Sequence, residues 1–219
     1  MTSPQSIALG MGLAVAQPLA SRGDWHIHLV DLNAERGAAA ASSIGSSASF
    51  HQTNIASHDS LASTSEQVYE TQKRINLVPT NAGIAEHTNF YATHDTNPPP
   101  PVAGLDPIVD INLKSVVSTS YLALHYFRKS PDVKDKCLAM TASCGGLYLS
   151  YYSPIYTAMK HGVIGLMRIA QYCWFQNKIR VNAICPSLIR ANLLDAKERA
   201  NFPEGYFMPV EKIVDYYAS

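Results

Sequence analysis

An excess charge of either sign is absent from this sequence. Its 219 residues carry 17 Lys+Arg against 17 Asp+Glu, a formal net charge of zero. Without a basic field, no electrostatic footprint for nucleic acid or an anionic membrane exists. No apolar run reaches the ~18 residues of a membrane span. The first twenty residues lack a basic n-region and an apolar core, so no secretory signal is read. Cysteine is scarce, and Cys137, Cys144, Cys173 and Cys185 show no CxxC spacing. Reduced thiols in a cytoplasmic protein are the expectation. The eight histidines show no metal-ligand spacing, so no metal is expected. Repeats and disordered tails are also missing. What is present is apolar material, 47% of the chain. That suffices for one large domain over 1–219 with a sizeable core.

Apolar runs alternate with helical patterns. Strands are expected at 25–30 (WHIHLV), 48–52, 75–80, 137–143 and 179–184. Helices are expected at 35–44, 60–72, 107–127 and 153–174. This rhythm predicts an α/β fold, a doubly wound parallel sheet between two helical layers. Such sheets bind ligands at the carboxyl ends of their strands. Segment 85–106 breaks the rhythm, because four consecutive prolines (98–101) exclude helix and central strand. It reads as a surface loop.

In SPIYTAMKHGVIGLMR (153–168), Tyr156 and Lys160 stand i and i+4, on one helical face. A tyrosine of pKa near 10 is a poor base at neutral pH, and a nearby ammonium favours its phenolate. The pair can exchange a proton with a substrate oxygen. A core tyrosine beside a surface lysine is the plainer reading of the isolated motif. Ser143, at the end of strand 137–143, adds a hydroxyl for the same oxygen. Asn112 falls early in helix 107–127, and NAG (81–83) follows another strand.

Together NAG, Asn112, Ser143, Tyr156, Lys160 and RVNAICP (180–186) resemble the short-chain dehydrogenase/reductase family over nearly the whole chain. VNAICP and the YTAMKHGVIGL helix are most similar to members that oxidise lipid hydroxyls, such as hydroxyprostaglandin dehydrogenases. The resemblance implies a Rossmann fold, a nicotinamide cofactor and hydride transfer between cofactor and a carbonyl or alcohol carbon. It implies that Tyr156 is the acid/base and Ser143 polarises the substrate oxygen. Lys160 would lower the tyrosine pKa and bind the ribose, and Asn112 would support a proton relay.

The cofactor half departs from the family pattern Thr-Gly-x-x-x-Gly-x-Gly. In SIALGMGLAVAQPLA (6–20), Gly10 and Gly12 match its last two glycines, while Gln5 and Ser6 replace the leading pair. Ile7–Leu9 reads as the end of a first strand that abuts Gly10 directly, so strand and turn are shortened. A backbone without Cβ must approach the pyrophosphate, so weakened binding is expected. Pro18 falls inside the first helix. Asp31, ending the second strand, fits the ribose hydroxyls of NAD and repels the extra phosphate of NADP. Further cofactor contacts implied are Asn54 and Ile55 at the adenine, Asn81, Ala82 and Gly83, and Pro186 and Ile189 after the last strand, besides Tyr156 and Lys160. Ser187 and Ala191 replace a glycine and a threonine usual there. A last strand is expected to be missing after 210–219, and the segment 193–209 reads as an apolar lid or a plain surface helix.

The reading is an NAD(H)-dependent oxidoreductase interconverting a secondary alcohol and a ketone on a fairly apolar small molecule. It is expected to be a cytoplasmic homodimer or homotetramer pairing through helices 107–127 and 153–174. Two alternatives stay open. One is a redox-silent isomerase or cyclase using the same Ser-Tyr-Lys trio. The other is a non-catalytic partner of an intact relative.

Overall fold

The computed structural model describes residues 11–93, 105–131, 136–189, 199–200 and 202–218. Helix α1 (Met11–Ser21) leads into strand β1 (Ile27–Asp31), then α2 (Ala34–Ile44), β2 (Ala48–Gln52), α3 (His58–Gln72) and β3 (Leu77–Thr80). Next come α4 (Leu105–Val109), a π-helical turn (Asp110–Lys114) and α5 (Ser115–Lys129). Strand β4 (Cys137–Thr141), α6 (Pro154–Met167), α7 (Ala170–Asn177), β5 (Arg180–Ile184) and α8 (Glu211–Ala218) follow.

Local chemistry sets these boundaries. Asn33 caps α2 by accepting the Arg36 N–H, and Gly45 ends it at φ 93°, a conformation that favours glycine. Ser57 caps α3. Pro154 sits at the start of α6, where its missing N–H forfeits nothing. β4 is buried at all five positions, as a strand covered on both faces must be.

All strand pairs are parallel, and helices flank them, as the alternating pattern predicted. Among the described residues, β1 pairs with β2, and β3 and β5 flank β4. The first strand, read at Ile7–Leu9, lies outside the described residues. Between β1 and β3 lies a cavity of about 580 Å³, walled by Leu29 and Val30 on one side and Val78 and Thr80 on the other. The main core packs Val116 and Phe127 of α5 and Leu138 and Met140 of β4 against Val163 of α6 and Val181 of β5. A smaller cluster joins Ala16, Leu29 and Ala40.

Two long helices differ from expectation. The one read at 107–127 contains the π-helical turn that carries Asn112. The one read at 153–174 breaks at Arg168–Ile169, where N–H groups reach back only three residues, to Gly165 and Leu166. Pro18 stays within α1, which runs on through it. Pro79 is accommodated in β3, an edge strand among the described residues. The four thiols are free, with Cys137 and Cys173 buried. The proline run 98–101 lies outside the described residues. After β5, a 3-10 turn (Glu204–Tyr206) and a bridge between Ile189 and Met208 are the extended or turn features described before α8. Of the lid candidates, Phe202 and Tyr206 are exposed.

Candidate active site

Parallel pairing of β3, β4 and β5 brings three strand ends to one edge. Pairing continues past β4: Ala142 N–H donates to Ile184 O at 2.9 Å, and Cys144 N–H to Pro186 O at 2.8 Å. Ser143 is held between those two bonds. Its Oγ accepts the Gly145 N–H at 3.1 Å and shares a hydrogen bond with the Tyr156 phenol. The turn after β4 presses on α6 because Gly146 has no side chain. A Cβ there would stand 2.7 Å from the Lys160 carbonyl oxygen.

Lys160 is 3% exposed, and its Nζ donates to the Thr141 carbonyl at 2.9 Å. The same Nζ stands 5.5 Å from the centroid of the Tyr156 ring. Gly83 completes the neighbourhood: a Cβ there would lie 2.8 Å from Asn112 Oδ1 and 3.8 Å from Lys160 Nζ. Asn112 is wholly buried and pairs with both backbone groups of Ile84. Thr141 donates to Asn81 Oδ1 at 3.3 Å, tying the β4 end to the turn after β3. Ser143, Tyr156, Lys160 and Asn112, distant in sequence, thus converge with Asn81 and Gly83.

The electrostatics correct one expectation. Burial is the leading influence on Tyr156 and pushes its phenol above the usual value; the Ser143 hydrogen bond pulls it back, and Cys144 pushes it up. Burial also lowers Lys160, to about 8. The phenol thus lies above its ordinary value, with Lys160 Nζ 5.5 Å from the ring centroid.

The cofactor candidates fall into two groups. Gly12, Ile55, Asn81 and Ala82 line the cavity between β1 and β3. Asp31 ends β1 with a buried carboxylate, whose Oδ1 accepts the Asn33 N–H at 2.7 Å. Asn54 Oδ1 accepts the Ala56 N–H at 3.1 Å, so that oxygen serves its own turn rather than standing free for a ligand. Pro186 supports the Ser143 turn, and Ile189 bridges to Met208. Gly10 lies outside the described residues, as does Ala191. Lys160, beside Gly83 and Asn112, fits a nicotinamide ribose hydroxyl, and Asp31 with Ile55 fits the adenosine end. Among the described residues no cluster of three His, Cys, Asp or Glu is arranged to hold a metal ion.

One residue of this site has no spacing signal in the sequence. Glu86, three residues beyond Gly83, accepts the Tyr156 N–H on Oε2 at 2.8 Å across 70 positions of chain. The main-chain carbonyl of Thr141 was equally unreadable.

The family model described as short chain dehydrogenase matches residues 7–201. Short-chain dehydrogenase/reductase prx7 of Penicillium rubens is 44% identical over 209 residues, covering 93% of this chain and 73% of that protein. Human 15-hydroxyprostaglandin dehydrogenase (NAD(+)) is 28% identical over 199 residues, covering 88% of this chain and 69% of its own. A second Penicillium rubens protein, short-chain dehydrogenase/reductase prx6, is 26% identical over 214 residues, with 95% and 71% covered.

Proposed function

The chain belongs to the short-chain dehydrogenase family, and from that membership we propose that it interconverts a secondary alcohol and a ketone with NAD(H). The observation that carries this reading is the convergence of Ser143, Tyr156 and Lys160 at the carboxyl ends of β4 and β5. A bound nicotinamide would supply the hydride acceptor or donor. Tyr156 then holds the proton of the substrate hydroxyl, taking it in oxidation and returning it in reduction. Ser143, already bonded to the phenol, donates to the developing oxyanion as a preorganised group. Lys160 would pass between its Thr141 bond and the ribose, and Asn112 would keep the Ile84 backbone, and so the turn after Gly83, in register.

Asp31 supports NAD over NADP, since a buried carboxylate at that strand end repels a second phosphate. The name of the human relative supports the same cofactor and a lipid-like, fairly apolar alcohol. The shortened glycine turn supports weaker cofactor binding. Exposed Val117 and Tyr121 on α5 support a homo-oligomer joined through that helix. No described helix is long and apolar enough to cross a membrane.

The test is direct. Binding of NADH and NADPH is measured by calorimetry, and a panel of secondary alcohols is followed by absorbance of reduced cofactor. NADH binding with alcohol-dependent reduction of NAD is expected. Absence of binding at millimolar cofactor overturns the proposal, and turnover of a substrate without cofactor points to the redox-silent alternative.

A further inference from the structure

Helix α6 carries Tyr156 in its first turn, where backbone N–H groups lack intrahelical partners. Ser153 occupies the capping position and makes no side-chain capping bond. The Tyr156 N–H is satisfied instead by Glu86, from the loop after β3. That loop is itself anchored two residues earlier, because Ile84 N–H and C=O both pair with buried Asn112. The second carboxylate oxygen of Glu86, Oε1, is buried and without a hydrogen-bond partner among the described residues. A buried carboxylate oxygen with no partner is unfavourable. The positive end of α6 offsets part of that cost.

We propose that Glu86 is a positioning residue for Tyr156, fixing its backbone against Ser143 and opposing ionisation of its phenol through the charge placed at the start of α6. This rests on the reading of Tyr156 as the acid/base. The bond at Oε2 sets where the ring begins. The negative charge cancels the helix end that would otherwise favour a phenolate in that first turn. The other titratable groups around the phenol are Cys144 from the turn after β4 and Lys160 from α6 itself. Cys185, at the end of β5, faces Lys160. Within the loop, His87 adjoins Glu86. Among these, Glu86 is the one carboxylate bonded to the helix start.

Two substitutions separate position from charge. Glu86→Gln keeps an oxygen for the Tyr156 N–H and removes the charge; Glu86→Ala removes both. Phenol ionisation is read by NMR of protein labelled at tyrosine Cζ, with Tyr156→Phe assigning the signal, so this arm needs no turnover. In Glu86→Gln the Tyr156 midpoint is expected about half a unit to one unit lower, since one unit reflects a modest change in interaction with the phenolate. The acid limb of the kcat/KM profile is expected to move the same way, with the melting temperature little changed. In Glu86→Ala, kcat is expected to fall about tenfold or more with cofactor KM held, because misplacement of a reacting group is costly. An unmoved Tyr156 signal in Glu86→Gln overturns the proposal. If no alcohol is turned over at all, the oxidoreductase reading fails while the NMR arm still decides the role of Glu86.

Discussion

Asn112 clasps Ile84 from both sides: its Oδ1 accepts the Ile84 N–H at 3.1 Å, and its Nδ2 donates to the Ile84 carbonyl at 3.0 Å. This side chain holds the stretch after β3 in place beside Lys160. It sits in a π-helical turn, a local widening frequent at functional sites. Replacing it by leucine leaves two buried backbone groups unpaired. Asn112→Leu is expected to lower unfolding free energy by about 2–6 kcal/mol, at 1–3 for each orphaned group, in a urea titration. Wild-type stability in that variant contradicts the clasp.

Lys160 makes stability depend on alkaline pH. Burial lowers its pKa from 10.5 to about 8 in the folded chain. Between those values the unfolded state binds more protons, so stability rises as pH climbs from 8 to 10.5 and is lost as pH falls through 8. Lys160→Met removes the buried charge but also the bond to Thr141. A net gain of about 1–2 kcal/mol at pH 7, together with loss of turnover and of the alkaline rise, is expected from the buried-charge penalty. Urea midpoints at pH 7, 8.5 and 10 measure it. A parallel pH dependence in wild type and variant contradicts the assignment.

His28 acts at the acid end. Burial, then His51 and His26, hold its pKa down to about 4 from 6.5. Its Nδ1 lies 2.9 Å from His51 Nε2, and its Nε2 is buried without a partner among the described residues. His51 is lowered too, chiefly by burial, with a hydrogen bond to Gln67 working the other way. His28 therefore stays neutral when folded. Its contribution is fully present above pH 6.5 and declines as pH falls towards 4. Melting temperature is expected to drop across that window, and His28→Leu is expected to flatten the drop. An equally steep loss in the variant would show that other groups carry it.

Gly146 is where packing governs the site. An added Cβ would lie 2.7 Å from the carbonyl oxygen and 2.9 Å from the carbonyl carbon of Lys160, both main-chain atoms that yield little. Gly146→Ala is expected to cost about 1–3 kcal/mol by overpacking. It is also expected to push Ser143 away from Tyr156, cutting kcat about tenfold or more, as displaced reacting groups do. Thermal melts and steady-state rates test it, and wild-type kcat in a folded variant contradicts the contact.

Much of the architecture was legible because period and composition carry it. CLAMT reads as a buried strand, and all five of its residues are buried. The helices read at 35–44 and 60–72 form, and Asn33 and Ser57 cap them. The helix breaks were less legible. Nothing in VDINLK marks a π-helical turn, since the bonds that stabilise it come from Ile84 in another segment. The candidate trio was readable only because i, i+4 spacing and a strand-end serine are local patterns. Glu86 was not, since its partner is a backbone N–H in a distant segment of the chain.

What the sequence by itself determined is the set of short-range facts: which segments are strands or helices, and that Tyr156 and Lys160 share a face. Tertiary structure alone decided that Lys160 turns to the Thr141 carbonyl, that burial raises the Tyr156 phenol, and that Glu86 meets the Tyr156 N–H. The reason is physical. Periodicity and caps act within a few residues, whereas desolvation and hydrogen bonds between strand ends depend on which distant segments the packed sheet brings together.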